Sequence, residues 1–209
     1  MRIGFIGLGN VGRKLAGSLL RNKFNVIVRD LDKKITKKFS DQGVLVATSA
    51  KELAEKSDLV ITCLPSPEIC SKVMEGENGV IKGLSKNKIW LEMSTTDSNE
   101  IKRIGALVKS VGAIPLDCPV SGGCHRAATG NIAILVGGDK KAFNKILPAL
   151  SAMGRKILHT GELGSASVLK VITNYLASVN LVSVGEALIV AKKTGMDLKT
   201  AYEAIKISS

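Results

Sequence analysis

Along this chain, short apolar runs with strand character alternate with polar-faced stretches of helical period. The apolar runs fall at 2–6, 25–28, 44–47, 59–64, 89–93, 113–116, 132–136 and 156–159. Residues repeating with a period near 3.6 predict helices over 11–21, 33–40, 50–56, 67–75, 98–111 and 140–153. Strand followed by helix, repeated, predicts an α/β fold: a doubly wound, mostly parallel sheet whose crossovers are right-handed. The segment 131–138, closed by a glycine pair, reads as a later addition to that sheet, with antiparallel pairing in view.

Beyond Gly164 the pattern changes. No proline or strand signal interrupts 165–193, which predicts one long helix, with Gly185 as its weak point. At the usual rise per residue such a helix is roughly 40 Å long. Gly195 reads as its C-terminal cap and Asp197 as the N-cap of a further helix running to Ser209. The expected organisation is therefore an α/β domain over 1–163 and the start of an all-helical C-terminal domain over 164–209.

The first strand leads directly into Gly7-Leu8-Gly9-Asn10-Val11-Gly12, which opens a helix, and the second strand ends at Asp30. This order is that of a Rossmann-type fold. A strand that stops abruptly lets backbone N–H groups at the helix start, near Asn10 and Val11, face a pyrophosphate, and the helix dipole favours the anion. Gly7 suits the tight turn, Gly9 the approach of the phosphates and Gly12 the packing of helix on strand. Asp30 stands where a carboxylate accepts hydrogen bonds from both hydroxyls of an adenosine ribose and repels a phosphate there. The spacing favours NAD over NADP, although Arg29, Lys33 and Lys34 soften the charge argument.

Composition narrows the rest. With 209 residues, 45% of them hydrophobic, the chain has material for one large domain and a small extension. The sequence reads as a soluble, cytoplasmic protein, with no run taken as a membrane span and no cleavable leader. Cys63, Cys70, Cys118 and Cys124 form no Cys-x-x-Cys pair and read as buried thiols, so no metal site is expected. The net charge of +12 raises a nucleic-acid reading. Its lysines are scattered over helix faces, however, and 3% aromatic residues leave little material for base stacking.

Two places carry candidate chemistry. Ser121 and the N–H groups of Gly122 and Gly123 follow a strand and offer a donor-rich concavity suited to a carboxylate; a loop that needs glycine only for its turns reads the same way. Lys170 and Asn174 stand four residues apart and so share a helix face. Facing inward among Val168, Leu169, Val171 and Ile172, Lys170 would be desolvated and primed for proton transfer; facing outward, it would be an ordinary surface lysine.

The ordered set of residues 4–12, Leu64-Pro65, Met93-Ser94-Thr95, 117–123 and Gly164-x5-Lys170-x3-Asn174 resembles the β-hydroxyacid dehydrogenase family, of the 3-hydroxyisobutyrate dehydrogenase and tartronate semialdehyde reductase type. The resemblance implies that Gly7, Leu8, Gly9, Asn10, Val11 and Gly12 hold the pyrophosphate, Asp30 the ribose, and Leu64, Pro65 and Thr95 line the path to the nicotinamide. It further implies that Ser121, Gly122 and Gly123 bind the substrate carboxylate, that Asn174 orients the substrate and that Lys170 is the catalytic acid/base. NADP-using relatives tend to carry arginine where Leu31 stands, which again points to NAD. The implied activity is hydride transfer between NAD and a small β-hydroxyacid or semialdehyde, in a homo-oligomer (dimer or tetramer). Relatives continue for several helices past the point matching Ser209. The alternative is accordingly a non-catalytic dinucleotide-binding scaffold of the same fold.

Overall fold

The computed structural model describes residues 1–208, which form two compact units, 1–170 and 171 onward. In the first unit, strands β1 (Arg2–Ile6), β2 (Asn25–Arg29), β3 (Leu45–Val46), β4 (Leu59–Thr62), β5 (Ile89–Glu92) and β6 (Ile114–Asp117) pair in parallel in the spatial order β3-β2-β1-β4-β5-β6. The reversal of order between β1 and β4 is the switch point of a doubly wound sheet, and ligands of such sheets bind at the carboxyl ends of the strands there. Three further strands extend the sheet: β7 (Val120–Ser121), β8 (Ile132–Gly138) and β9 (Gly154–Gly161). β8 runs antiparallel to β6 and β7, as its sequence pattern suggested, and β9 runs parallel to β8.

Helices cover both faces of this sheet, which is why the strands read as near-continuous apolar runs. They are α1 (Gly12–Arg21), α2 (Lys33–Ser40), α3 (Ala50–Glu55), α4 (Pro67–Glu75), α5 (Ser98–Ser110), α6 (Gly123–Ala128) and α7 (Lys140–Met153). Successive side chains of β4 divide between the two cores: Leu59 and Ile61 pack with Phe5, Leu15 and Ile134, while Val60 packs with Leu53, Trp90 and Ile104. Polar caps fix where the helices begin. Asp32 accepts from Lys34 and Ile35 N–H, Ser66 from Ile69 N–H with Pro67 in the first turn, and Asp97 from Asn99 and Glu100 N–H.

The sequence reading needs four corrections here. The Ser121-Gly122-Gly123 stretch, for which the sequence left a glycine loop open, continues into structure: residues Gly123–Ala128 close into the short helix α6, preceded by the two-residue strand β7. A 3₁₀ turn, Val80–Gly83, was not anticipated. The strand expected at 44–47 shrinks to Leu45–Val46 because it is an edge strand with a single neighbour. The helix α8 (Ser165–Lys193) is, contrary to the sequence reading, long and apolar enough to cross a membrane by length and composition, with a mean hydropathy of 1.4 in its most apolar window. Scattered Ser, Thr and Asn had disguised the absence of any charged residue between Lys170 and Glu186.

The start of α8 belongs to the first unit and is tied to the sheet by one buried carboxylate. Asp117, fully buried at the end of β6, accepts from Gly164 N–H through Oδ1 (2.8 Å) and from Ser167 N–H (2.8 Å) and Ser167 Oγ (3.1 Å) through Oδ2. Gly137 on the neighbouring β8 makes room for it, since a Cβ there would collide with Asp117 Oδ1. The second unit holds the rest of α8 and α9 (Leu198–Ser208); Ser209, where the sequence reading ended this helix, lies outside the described residues. Gly195, at φ +78°, and the Met196 N–H to Ala191 C=O bond (3.0 Å) close α8, and Asp197 caps α9 through Thr200.

Asp117→Ala leaves two backbone N–H groups and a hydroxyl buried without their acceptor, at a cost of about 3 kcal/mol. The expected outcome is a melting temperature lower by roughly 6–12 °C in a thermal scan. An unchanged melting temperature would mean that this carboxylate does not anchor α8.

Candidate active site

At the carboxyl ends of β1, β2, β4 and β5 lies a cleft of about 910 Å³, wholly within the first unit. Its floor is the turn between β1 and α1. Gly7 adopts φ +94°, and a side chain there would strike the carbonyl of Cys63; a Cβ on Gly12 would strike the Gly7 carbonyl, so the loop and α1 are in contact only because both are glycine. Gly9 differs, because the space where its Cβ would project is open. That is the form expected of a position reserved for a ligand rather than for packing.

Asp30 stands on the cleft wall and ties the glycine turn to β2, its Oδ2 accepting Leu8 N–H (2.5 Å) and its Oδ1 accepting Asp32 N–H (2.9 Å). Arg29 beside it is held by the carbonyls of Ala47 (3.3 Å) and Thr48 (2.7 Å), while Leu31 is 88% exposed. Ser49, Ile69, Lys72, Glu77 and Asn78 complete this end of the cleft. They come from the 49–50 and 69–79 stretches, which carry no recognisable motif, and the sequence reading missed them.

The central wall rests on the buried carboxylate of Glu92. It accepts from Thr62 Oγ1 (2.6 Å), Cys70 Sγ (2.8 Å) and Ser94 N–H (2.7 Å), and Trp90 Nε1 in turn donates to Thr62 Oγ1 (2.9 Å). Ser94 Oγ accepts Leu64 N–H (2.7 Å), so the two loops carrying Leu64-Pro65 and Thr95 are fixed to one another. Burial pushes the Glu92 carboxyl above its ordinary range, and the three donors oppose that rise. Cys63 also faces the cleft, but burial followed by the nearby Glu92 pushes its thiol up to about 12. It is a protonated thiol at neutral pH and unsuited to nucleophilic attack.

At the far end stand Val120, Gly122, Gly123, Ile132 and Lys170. Gly122 (φ +124°) and Gly123 (φ +80°) take left-handed conformations that open the start of α6, and Lys14 Nζ donates to the Cys124 carbonyl (3.0 Å) to fasten α6 to α1. Lys170 is half buried, and desolvation lowers its pKa from the usual lysine range. Its neighbours Val168 (46%) and Val171 (53%) are exposed, while Lys170 itself is among the residues lining the cleft.

Of the residues singled out from sequence, Gly7, Gly9, Asn10, Val11, Gly12, Asp30, Leu64, Pro65, Thr95, Gly122, Gly123 and Lys170 all line this one cleft. Leu8 does not: its side chain is in the core and its N–H is taken by Asp30. Ser121 is half buried on β7 and is not part of the cleft wall, and Asn174 lies in the second unit, one turn further along α8, with an exposed side chain.

These features define a dinucleotide-binding fold with an amine at the end of its cleft. Residues 2–161 match the family described as the NAD binding domain of 6-phosphogluconate dehydrogenase, and residues 164–209 match the NAD-binding domain of NADP-dependent 3-hydroxyisobutyrate dehydrogenase. The chain is 34% identical over 207 residues to the mitochondrial 3-hydroxyisobutyrate dehydrogenase of Rattus norvegicus, covering 99% of this chain and 62% of that protein. It is 32% identical to the 2-(hydroxymethyl)glutarate dehydrogenase of Eubacterium barkeri, covering all of this chain and 69% of that one. Among solved structures, the 3-hydroxyisobutyrate dehydrogenase of Mycobacterium tuberculosis, solved with L-serine, superposes with a TM-score of 0.91 at 30% identity, covering 98% and 69% of the two chains. The chain belongs to the β-hydroxyacid dehydrogenase family. It spans about 62% of the length of the mitochondrial relatives.

Gly9→Ala separates binding from folding. With open space at that Cβ, the melting temperature should stay within about 1 °C of the parent, whereas affinity for NADH, read by fluorescence titration, should fall at least roughly tenfold. Unaltered affinity would show that no pyrophosphate approaches this position.

Proposed function

We propose that the chain is the dinucleotide-binding and proton-transferring part of an NAD-dependent dehydrogenase that interconverts a small β-hydroxyacid and its semialdehyde. The observation that carries this reading is the presence of Lys170 on the same cleft as the glycine turn, Asp30 and the Gly122-Gly123 pair. The cleft fits the cofactor: about 910 Å³ is ample for a dinucleotide, and open space stands over Gly9. Gly7, Gly9, Asn10, Val11 and Gly12 would hold the pyrophosphate, Asp30 the adenosine ribose, and Leu64, Pro65 and Thr95 the path toward the nicotinamide. When bound, the nicotinamide supplies or takes up the hydride.

The protein's own contribution is position and charge. Gly122 and Gly123, with Ser121 beside them, would clasp the substrate carboxylate, and the family resemblance gives Asn174 the role of orienting the substrate. Lys170 as ammonium would donate a proton to the oxygen of the semialdehyde as it becomes anionic, and as free amine would take the hydroxyl proton in the oxidising direction. Desolvation in the cleft lowers its pKa from the usual lysine range, the direction that favours the free amine.

NAD is preferred to NADP in this reading because the Asp30 carboxylate stands on the wall and Leu31 offers no charge to a ribose phosphate. The match of 164–209 to a family described as NADP-dependent pulls the other way, so the preference rests on the β2 end alone. The change of matching family between residues 161 and 164 supports a domain division at 163/164, and the exposed Ile172, Leu176, Val179 and Val182 of α8 support a homo-oligomer. A non-catalytic scaffold is the weaker reading, since it gives no role to a lysine desolvated on the cofactor cleft.

Lys170→Ala should lower turnover of 3-hydroxyisobutyrate by at least roughly 10²-fold with NADH affinity within a factor of two. Full turnover in this variant would remove the assigned role. In the parent, semialdehyde reduction should fall as pH rises through the lowered Lys170 pKa, while alcohol oxidation should rise through the same range. Profiles of the two directions that move together would contradict a single acid/base.

A further inference from the structure

We infer that the chain carries a second binding site, for a small polyphosphate or nucleoside phosphate, at the opposite end of the sheet from the dinucleotide cleft. A concavity of about 670 Å³ lies where β6 begins and β8 ends, again wholly within the first unit. Four lysines stand around it: Lys109 from the end of α5, and Lys140, Lys141 and Lys145 from the first turns of α7.

Their pairing is the informative feature. Elsewhere Lys37, Lys51, Lys56 and Lys206 each have a carboxylate three or four residues away on their own helix. None of the four cleft lysines is in an ion pair among the described residues; Lys140 instead lies 4.5 Å over the Phe143 ring. Two carboxylates reach the same concavity. Asp139 is already engaged as the α7 cap, accepting Ala142 N–H at 2.7 Å, which leaves Glu162 as the other. A net excess of positive charge in a concave, partly apolar setting raises the local potential far above that of a flat surface carrying the same charges.

The floor adds a second element of recognition. Ile114, Pro115 and Leu163 give an apolar patch, and the His159 ring is fixed there by donating its Nε2–H to the Gly138 carbonyl (2.8 Å) and by packing on Phe143 (5.1 Å between ring centres). Charge at the rim with rings and aliphatic groups beneath suits phosphates attached to a flat organic moiety better than a bare anion. The strands of β5 and β6 separate this concavity from the dinucleotide cleft, whose lining shares no residue with it.

The test is isothermal titration of the 209-residue chain, saturated with NADH, with sodium tripolyphosphate and with ATP. The expected result is binding of both in the micromolar range, ATP at least threefold tighter, falling at least tenfold in Lys140→Gln/Lys145→Gln with NADH affinity unchanged. Lys109→Gln, on a different helix, should weaken binding by a smaller factor and guards against a local defect in α7. Binding that is absent, that survives both variants, or that is displaced by NADH would overturn the inference. So would preferential binding of a 20-base-pair DNA duplex lost in the same variants, which would assign the lysines to a nucleic acid.

Discussion

The arrangement depends first on one buried carboxylate. Asp117 ends β6 with both oxygens inside the protein, and it accepts the hydrogen bonds that the first turn of α8 cannot make within its own helix. A helix start carries partial positive charge, so an anion held there is doubly favoured. The consequence is functional as well as structural: Lys170 stands one turn beyond Ser167, so the sheet itself sets where the amine enters the cleft. The family pattern running from Asp117 to Gly123 thus serves two ends, its acid anchoring the helix and its glycines opening the neighbouring turn.

A second buried acid, Glu92, performs the same kind of work in the middle of the cleft. Thr62, Cys70 and Ser94 all turn donors toward it, and through Ser94 it sets the Leu64-Pro65 loop against the Thr95 loop. Burying a carboxyl disfavours its charged form, and the hydrogen bonds from Thr62, Cys70 and Ser94 oppose that effect. Both networks fasten loops of the cleft to the sheet through buried hydrogen bonds.

How much of this was legible in the chain depends on the range of the interaction. Strand and helix order, the antiparallel β8 and the glycine turn are local patterns, and they appear in the fold where the sequence put them. The helix α6 was hidden because its six residues are too few for a periodic signal and begin with a glycine at positive φ. Ser49, Lys72 and Asn78 were invisible for a different reason: only the packing of α3 and α4 against the Val80–Gly83 turn brings these separated stretches to one cleft. Asp117 was quoted as part of a motif, but its partners lie 47 and 50 residues away, and nothing in its own neighbourhood points to them. The orientation of Lys170 was left open by the sequence, because whether a helical lysine faces inward depends on what the fold places beside it, and here it lines the cleft while its flanking valines are exposed. The apolar character of α8 was underestimated because polar but uncharged residues interrupt it.

The claim at the centre of this account is that the Lys170 amine meets the oxygen of the reacting carbon. A crystal structure of the chain with NAD and 3-hydroxyisobutyrate tests it most directly. The account predicts the substrate carboxylate at the Gly122-Gly123 turn and its hydroxyl oxygen about 2.6–3.2 Å from Lys170 Nζ. A substrate bound in the cleft with its hydroxyl turned away from that amine, and held by some other proton donor, would contradict it.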